Sequence, residues 1–144
     1  MERIRVVARY SDGRVVKGYT QDFHPNKPRF HFLPIDGEPS GKPVEVLVKE
    51  LKSVEVSVEE LKALFFVADF AGNPEYNELK EFTDGNRYHG RKIEVTFADG
   101  EVMVGTTMGY DPRRPSFFLF PADPKSNNQK VFVISSAVTK VRYL

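Results

Sequence analysis

More than a third of this chain is written twice. Residues 5–57 align without gaps on residues 92–144, a shift of 87, with identity at 13 of the 53 positions. Asp12 and Gly13 fall on Asp99 and Gly100, Gly18 on Gly105, and Thr20 on Thr107. Pro25 and Pro28 fall on Pro112 and Pro115, Phe30 on Phe117, Pro34 on Pro121, and Asp36 on Asp123. Val44, Val46 and Val54 then meet Val131, Val133 and Val141. Most matches are glycine, proline or core-type apolar residues. Such residues fix backbone geometry, so the repeat implies two copies of one fold unit. A chain of 144 residues holds one ordinary domain or two very small ones.

Each copy reads as β structure. Val6, Ala8 and Tyr10, like Ile93, Val95 and Phe97, follow the period of two expected of half-buried strands. The Asp-Gly pair that follows offers two residues with positive φ, as a tight hairpin favours. A second strand, 14–20 or 101–108, contains Gly18 or Gly105, the mark of a bulge or bend. Residues 24–29 and 111–116 carry two prolines each and read as loops. Aromatic strands at 30–33 and 117–120 come next, then strands at 44–48 and 131–134, a short turn and a closing strand. Five short strands with a bend in the second describe a small SH3-like barrel.

A shorter duplication lies inside the first copy. Residues 44–53 are followed at once by residues 54–63, with seven identities in ten. Either decapeptide fits the strand–turn–strand position. The second brings Leu61, Leu64 and Phe66 to the places of Val138, Val141 and Tyr143, a more apolar closing strand, and we favour it. The alternative is a helix from Val58, with Ser57 as N-cap and Glu60 completing a capping box. Residues 68–91 join the copies. Asn73 and Pro74 there suit the start of a short helix over 75–82, with Tyr76, Leu79 and Phe82 as its apolar face.

Composition removes several function classes. The formal net charge is +1, so whole-chain electrostatics do not mark a nucleic-acid or anionic-membrane binder. Without cysteine, disulfides, thiol catalysis and thiolate metal sites are excluded. No apolar run approaches a membrane span. Residues 1–10 alternate rather than forming a signal-peptide core, and the expected location is cytoplasmic. His24, His31 and His89 show no metal-ligand spacing, and no phosphate-binding glycine loop or GxSxG elbow occurs. No catalytic residue, metal site or cofactor is assigned, and the chain is expected not to be an enzyme.

The proline loops are the best functional candidates. Each begins with an aromatic residue, presents cations between prolines and runs into an aromatic strand. Their binding candidates are His24, Asn26, Lys27 and Arg29 in one loop, and Tyr110, Asp111, Arg113 and Arg114 in the other. Aromatic and arginine side chains together serve protein interfaces and also stack bases and hold phosphates. Phe30, Phe32, Phe117 and Leu119 are expected to fill the barrel cores instead.

The order of Asp12, Gly13, Gly18, Asp22 and Asn26 across strand, turn and bent strand resembles the first motif of Sm-like proteins. The second copy has Gly109 and Arg113 in place of Asp22 and Asn26, so the resemblance does not extend to a base pocket there. The chain also resembles uncharacterised bacterial proteins with tandem small barrels, which implies no activity. Sm-like relatives bind RNA and form rings through strand edges, and the resemblance implies that a tandem pair closes one such contact internally and stays monomeric or homodimeric.

The expected fold is all-β: two tandem SH3/Sm-like small β-barrels, 1–67 and 92–144, related by a pseudo-twofold and packed together, with a short helix in the linker 68–91. Units of about 55 residues are marginal alone, which favours that packing. The first function expected is a non-catalytic binding or adaptor module contacting a protein partner through the loops and sheet edges. The second is a single-stranded RNA or DNA binder, and the third a small-ligand sensor with a pocket between the barrels. No membrane partner is expected.

Overall fold

The computed structural model describes residues 4–35, 54–72, 76, 78–82 and 88–144. Within them the chain is all-β. The strands are β1 (Ile4–Tyr10), β2 (Val15–Thr20), β3 (Arg29–Pro34), β4 (Val54–Ser57), β5 (Leu61–Val67), β6 (Arg91–Phe97), β7 (Val102–Thr107), β8 (Ser116–Pro121), β9 (Asn128–Ile134) and β10 (Val138–Tyr143). They form one antiparallel sheet in the order β10-β6-β7-β8-β9-β5-β1-β2-β3-β4. The repeat is visible in that order: β5-β1-β2-β3-β4 runs in the same sequence as β10-β6-β7-β8-β9. Single 3-10 turns, Val58–Glu60 and Ser135–Ala137, occupy equivalent places before β5 and β10.

The second decapeptide forms β4, the 3-10 turn and the start of β5. The first decapeptide, and with it the strand expected at 44–48, lies outside the described residues. The residues that follow each copy explain the choice. Leu64, Phe65, Phe66 and Val67 are all buried in β5. Were the first copy in that register, Val54, Glu55, Val56 and Ser57 would take those four positions. A carboxylate would then replace the buried Phe65 and lose most of its hydration, with Arg9 as the only cation over that ring among the described residues.

β5 is buried throughout, and apolar at every position but Lys62, because both its faces are covered. Ala63, Phe65 and Val67 join a core with Ile93, Val95, Phe97, Leu119, Val131 and Val133. Leu61, Leu64 and Phe66 join another with Val6, Ala8, Phe30, Phe32, Phe132 and Ile134. The junction itself is β5 on β9, with Ala63, Leu64 and Phe65 opposite Val133, Phe132 and Val131. A pseudo-twofold would pair equivalent strands, since an isologous contact matches like with like. β5 corresponds to β10, so its pairing with β9 makes the two copies head-to-tail, and the pseudo-twofold expectation is corrected. Lys62 fastens the same seam. Its side chain is 8% exposed, lies 4.6 Å from the centre of the Phe97 ring, and pairs with Asp99 at 2.6 Å and with Glu101.

Two local expectations change. Neither Asp12 nor Asp99 has a positive φ; only Gly13 (99°) and Gly100 (94°) do in those hairpins. The aspartates instead accept a hydrogen bond from the backbone N–H two residues on, Arg14 at 3.0 Å and Glu101 at 3.0 Å. Gly18 and Gly105 allow a close strand approach: an added Cβ would lie 2.3 Å from the Leu33 carbonyl oxygen or 2.1 Å from that of Phe120.

In the connector, residues 76 and 78–82 of the expected helix are described and are not helical. The Leu79 N–H donates to Asp123 Oδ2 at 2.8 Å, and the Tyr76 hydroxyl donates to the same oxygen. Asp123 thereby takes up the Leu79 N–H, which a helix would have directed along its own axis. No helix among the described residues is long and apolar enough to cross a membrane.

Candidate functional site

The proline loops fold into the same turn twice. Lys27 N–H donates to the His24 carbonyl at 3.0 Å, and Arg114 N–H to the Asp111 carbonyl at 3.0 Å. Asn26 N–H donates to His24 Nδ1 at 3.1 Å, and Arg113 N–H to Asp111 Oδ1 at 2.9 Å. Each loop is then tied to its 3-10 turn, Val58 N–H to the Pro28 carbonyl and Ser135 N–H to the Pro115 carbonyl, both at 2.9 Å. Proline at both ends fixes φ and limits the freedom of the cations between.

Head-to-tail pairing brings these turns to one groove of about 1120 Å³. Pro25, Asn26, Lys27, Pro28 and Arg29 line it from the first loop, with Ser57, Val58 and Glu59. Met108, Gly109, Arg114 and Pro115 line it from the second, and Phe117, Phe118, Phe120, Phe132 and Ile134 supply its apolar part. Met108 is 70% exposed and Phe120 is 38% exposed, so apolar surface is presented to an incoming group. The Phe118 ring is already engaged, 5.0 Å from Phe132 and 6.5 Å from Phe120, with Lys130 Nζ 5.1 Å from its centre.

Four of the eight candidates line this groove: Asn26, Lys27, Arg29 and Arg114. Arg29 meets Glu55 at 3.4 Å, an exposed and therefore weak pair. Lys27 and Arg114 form no ion pair among the described residues. The other four are used within their own loops or face elsewhere. Arg113 is folded back on Asp111, with Nη2 to Oδ2 at 3.2 Å, and that contact holds the Asp111 carboxyl below the usual carboxylate range. Tyr110 packs edge-on against Phe117 at 4.9 Å and near Tyr143 at 6.3 Å, and burial pushes its phenol up. His24 serves as the acceptor that closes its turn.

Sequence reasoning missed Met108, Phe118, Phe120 and Ile134. Strand alternation held the signal for two of them. Phe117 and Leu119 are buried as expected, so Phe118 and Phe120 between and after them face the other way, where the first copy has His31 and Leu33.

Asp22 and His31 form a second, smaller cluster at a depression of about 330 Å³. Asp22 Oδ2 lies 2.7 Å from His31 Nδ1, and Oδ1 accepts the His31 N–H at 2.8 Å. Burial acts to raise the Asp22 carboxyl, but these bonds outweigh it and hold it low. Thr20 and Thr107 donate to the facing carbonyls of His31 and Phe118 at 2.9 and 2.8 Å, so the hydroxyl bond is common to both copies. The carboxylate lock is confined to the first copy because Gly109 replaces Asp22 in the second. No three metal-ligating side chains gather among the described residues.

No curated protein and no solved structure matches the chain. The profile of a family of unknown function, DUF6982, matches residues 2–144, and a chain matched over that span belongs to that family.

Proposed function

We propose that this protein is a non-catalytic binding module, and that it holds a segment of a protein partner in the groove between its repeat-equivalent loops. In this reading each copy is an SH3/Sm-like small barrel, supported by the shared order of five strands and the 3-10 turn before the last. The observation that carries the functional reading is the convergence of Lys27 and Arg114, equivalent positions of two identical turns, on one groove with an apolar floor.

Single-stranded nucleic acid is the competing class, and the available surface fits it less well. Base stacking needs open aromatic faces, yet Tyr110 and Phe118 are half-buried and already packed on neighbouring rings, Phe118 with Lys130 as well. The most open apolar residues are Met108 and Phe120, and the flexible thioether of Met108 is adaptable surface of the kind that accepts side chains.

A displayed random-peptide selection against the full chain, followed by backbone amide shift mapping of the enriched peptides, tests this reading. Enriched peptides are expected to move the amides of Lys27, Met108, Arg114 and Phe118. Shifts confined to other surfaces overturn it. So does salt-sensitive binding of labelled single-stranded RNA with no peptide enriched at the groove.

A further inference from the structure

The groove is asymmetric in charge, and that asymmetry specifies its occupant. Three cations line it, Lys27, Arg29 and Arg114, against a single carboxylate, Glu59. Lys27 and Arg114 come from the two different loops and form no ion pair among the described residues, although Asp22 and Asp111 feel their charges. An occupant with two anionic groups offers each cation a partner of its own. The rest of the lining is largely apolar, with Met108 and Phe120 open to solvent.

The type of anion follows from the backbone. A phosphate is usually cradled by several free N–H groups. The N–H groups of Asn26, Lys27, Arg113 and Arg114 are all spent inside their turns, on His24 and Asp111. These two turns therefore meet an anion with their side chains and not with those four N–H groups, an arrangement suited to carboxylates spread along a chain.

We infer that the partner segment is an extended acidic peptide in which an apolar side chain, seated on Met108 and Phe120, is flanked on both sides by carboxylates that reach Lys27 and Arg114. This rests on the docking reading above and adds the chemistry of the peptide to it.

Titration calorimetry of the full chain with synthetic peptides tests the inference. The probes are a decapeptide of alternating aspartate and leucine, its lysine–leucine counterpart, an aspartate–serine peptide without apolar residues, and oligouridine. The aspartate–leucine peptide is expected to bind, more weakly at high salt, and the other three to bind at least tenfold more weakly. Lys27→Ala and Arg114→Ala should each weaken it about three- to fivefold, the range of an exposed ion pair. Glu59→Gln should strengthen it about twofold, by removal of the one like charge. All three substitutions lie on exposed side chains, and unchanged circular dichroism identifies variants that still fold. Equal binding of the aspartate and lysine peptides at the groove, indifferent to Lys27→Ala and Arg114→Ala, overturns the inference while the docking reading stands. Oligouridine binding with no peptide bound overturns both.

Discussion

At the scale of single residues, the absence of a side chain at Gly18 and Gly105 sets how closely β3 and β8 approach. Gly18→Ala must push its new Cβ away from the Leu33 carbonyl, only 2.3 Å off, and is expected to cost about 2–3 kcal/mol in urea unfolding. Gly13→Ala meets nothing within 4 Å, and its penalty, about 1–2 kcal/mol, comes from φ alone. Equal costs for the two variants would contradict the close-approach account. Asp123 gives a pH prediction. Burial acts to raise its carboxyl, but the bonds from Tyr76, Leu79 and Lys125 hold it below the usual range, and Tyr76 is pushed up to about 12. A depressed carboxylate stabilises fully at neutral pH and loses that contribution as pH falls through its folded value. The protection factor of the Leu79 amide, its exchange rate referred to the intrinsic rate at each pH, should therefore fall in acid below the usual carboxylate range. Asp123→Asn should show fast exchange already at neutral pH.

At the scale of elements, the strands were legible because hydrophobic period and punctuation agree in both copies. What the sequence could not separate was the use of one residue type for two purposes. Glycine inside β2 and β7 reads as a bulge or bend; the register runs through both without a bulge, and the structure adds a close carbonyl contact from a strand brought in by tertiary pairing. Asp-Gly reads as two positive-φ residues, yet the aspartate bonds its neighbour's N–H and only the glycine turns left-handed. The helix expected over 75–82 failed over its described residues, where a buried carboxylate 44 residues away captures the Leu79 N–H. Half of the site was legible as loop cations. Its apolar half was not, because pairing of β5 with β9 is a long-range event that local pattern does not announce. The decapeptide duplication supplies an element-scale prediction. A chain lacking residues 44–53 keeps β4, the 3-10 turn and β5, and its unfolding free energy should stay within about 1 kcal/mol of the parent, the scale of a loop-length change. Loss of cooperative unfolding would show that the first copy is part of the sheet.

At the scale of the whole molecule, one seam makes two copies into a single sheet with two cores. Lys62 is its polar component, and its energetics are testable. Asp99→Asn with Glu101→Gln leaves a buried ammonium without carboxylates and should cost on the order of 2 kcal/mol, below the fully buried case because both carboxylates face water. Lys62→Met, which removes the charge and keeps the stem on Phe97, should cost far less. Similar losses for both variants would assign the role of Lys62 to packing alone. The groove depends on the same seam, since its lining is drawn from both copies, Lys27 and Arg29 from one and Arg114, Phe132 and Ile134 from the other. The most direct test is the pattern of cross-strand nuclear Overhauser effects in the labelled protein. The account predicts backbone contacts between Ala63 and Val133, Leu64 and Phe132, and Phe65 and Val131. Contacts of β5 with β10 in place of β9, or no contacts between the copies, would contradict it and dissolve the shared groove with it.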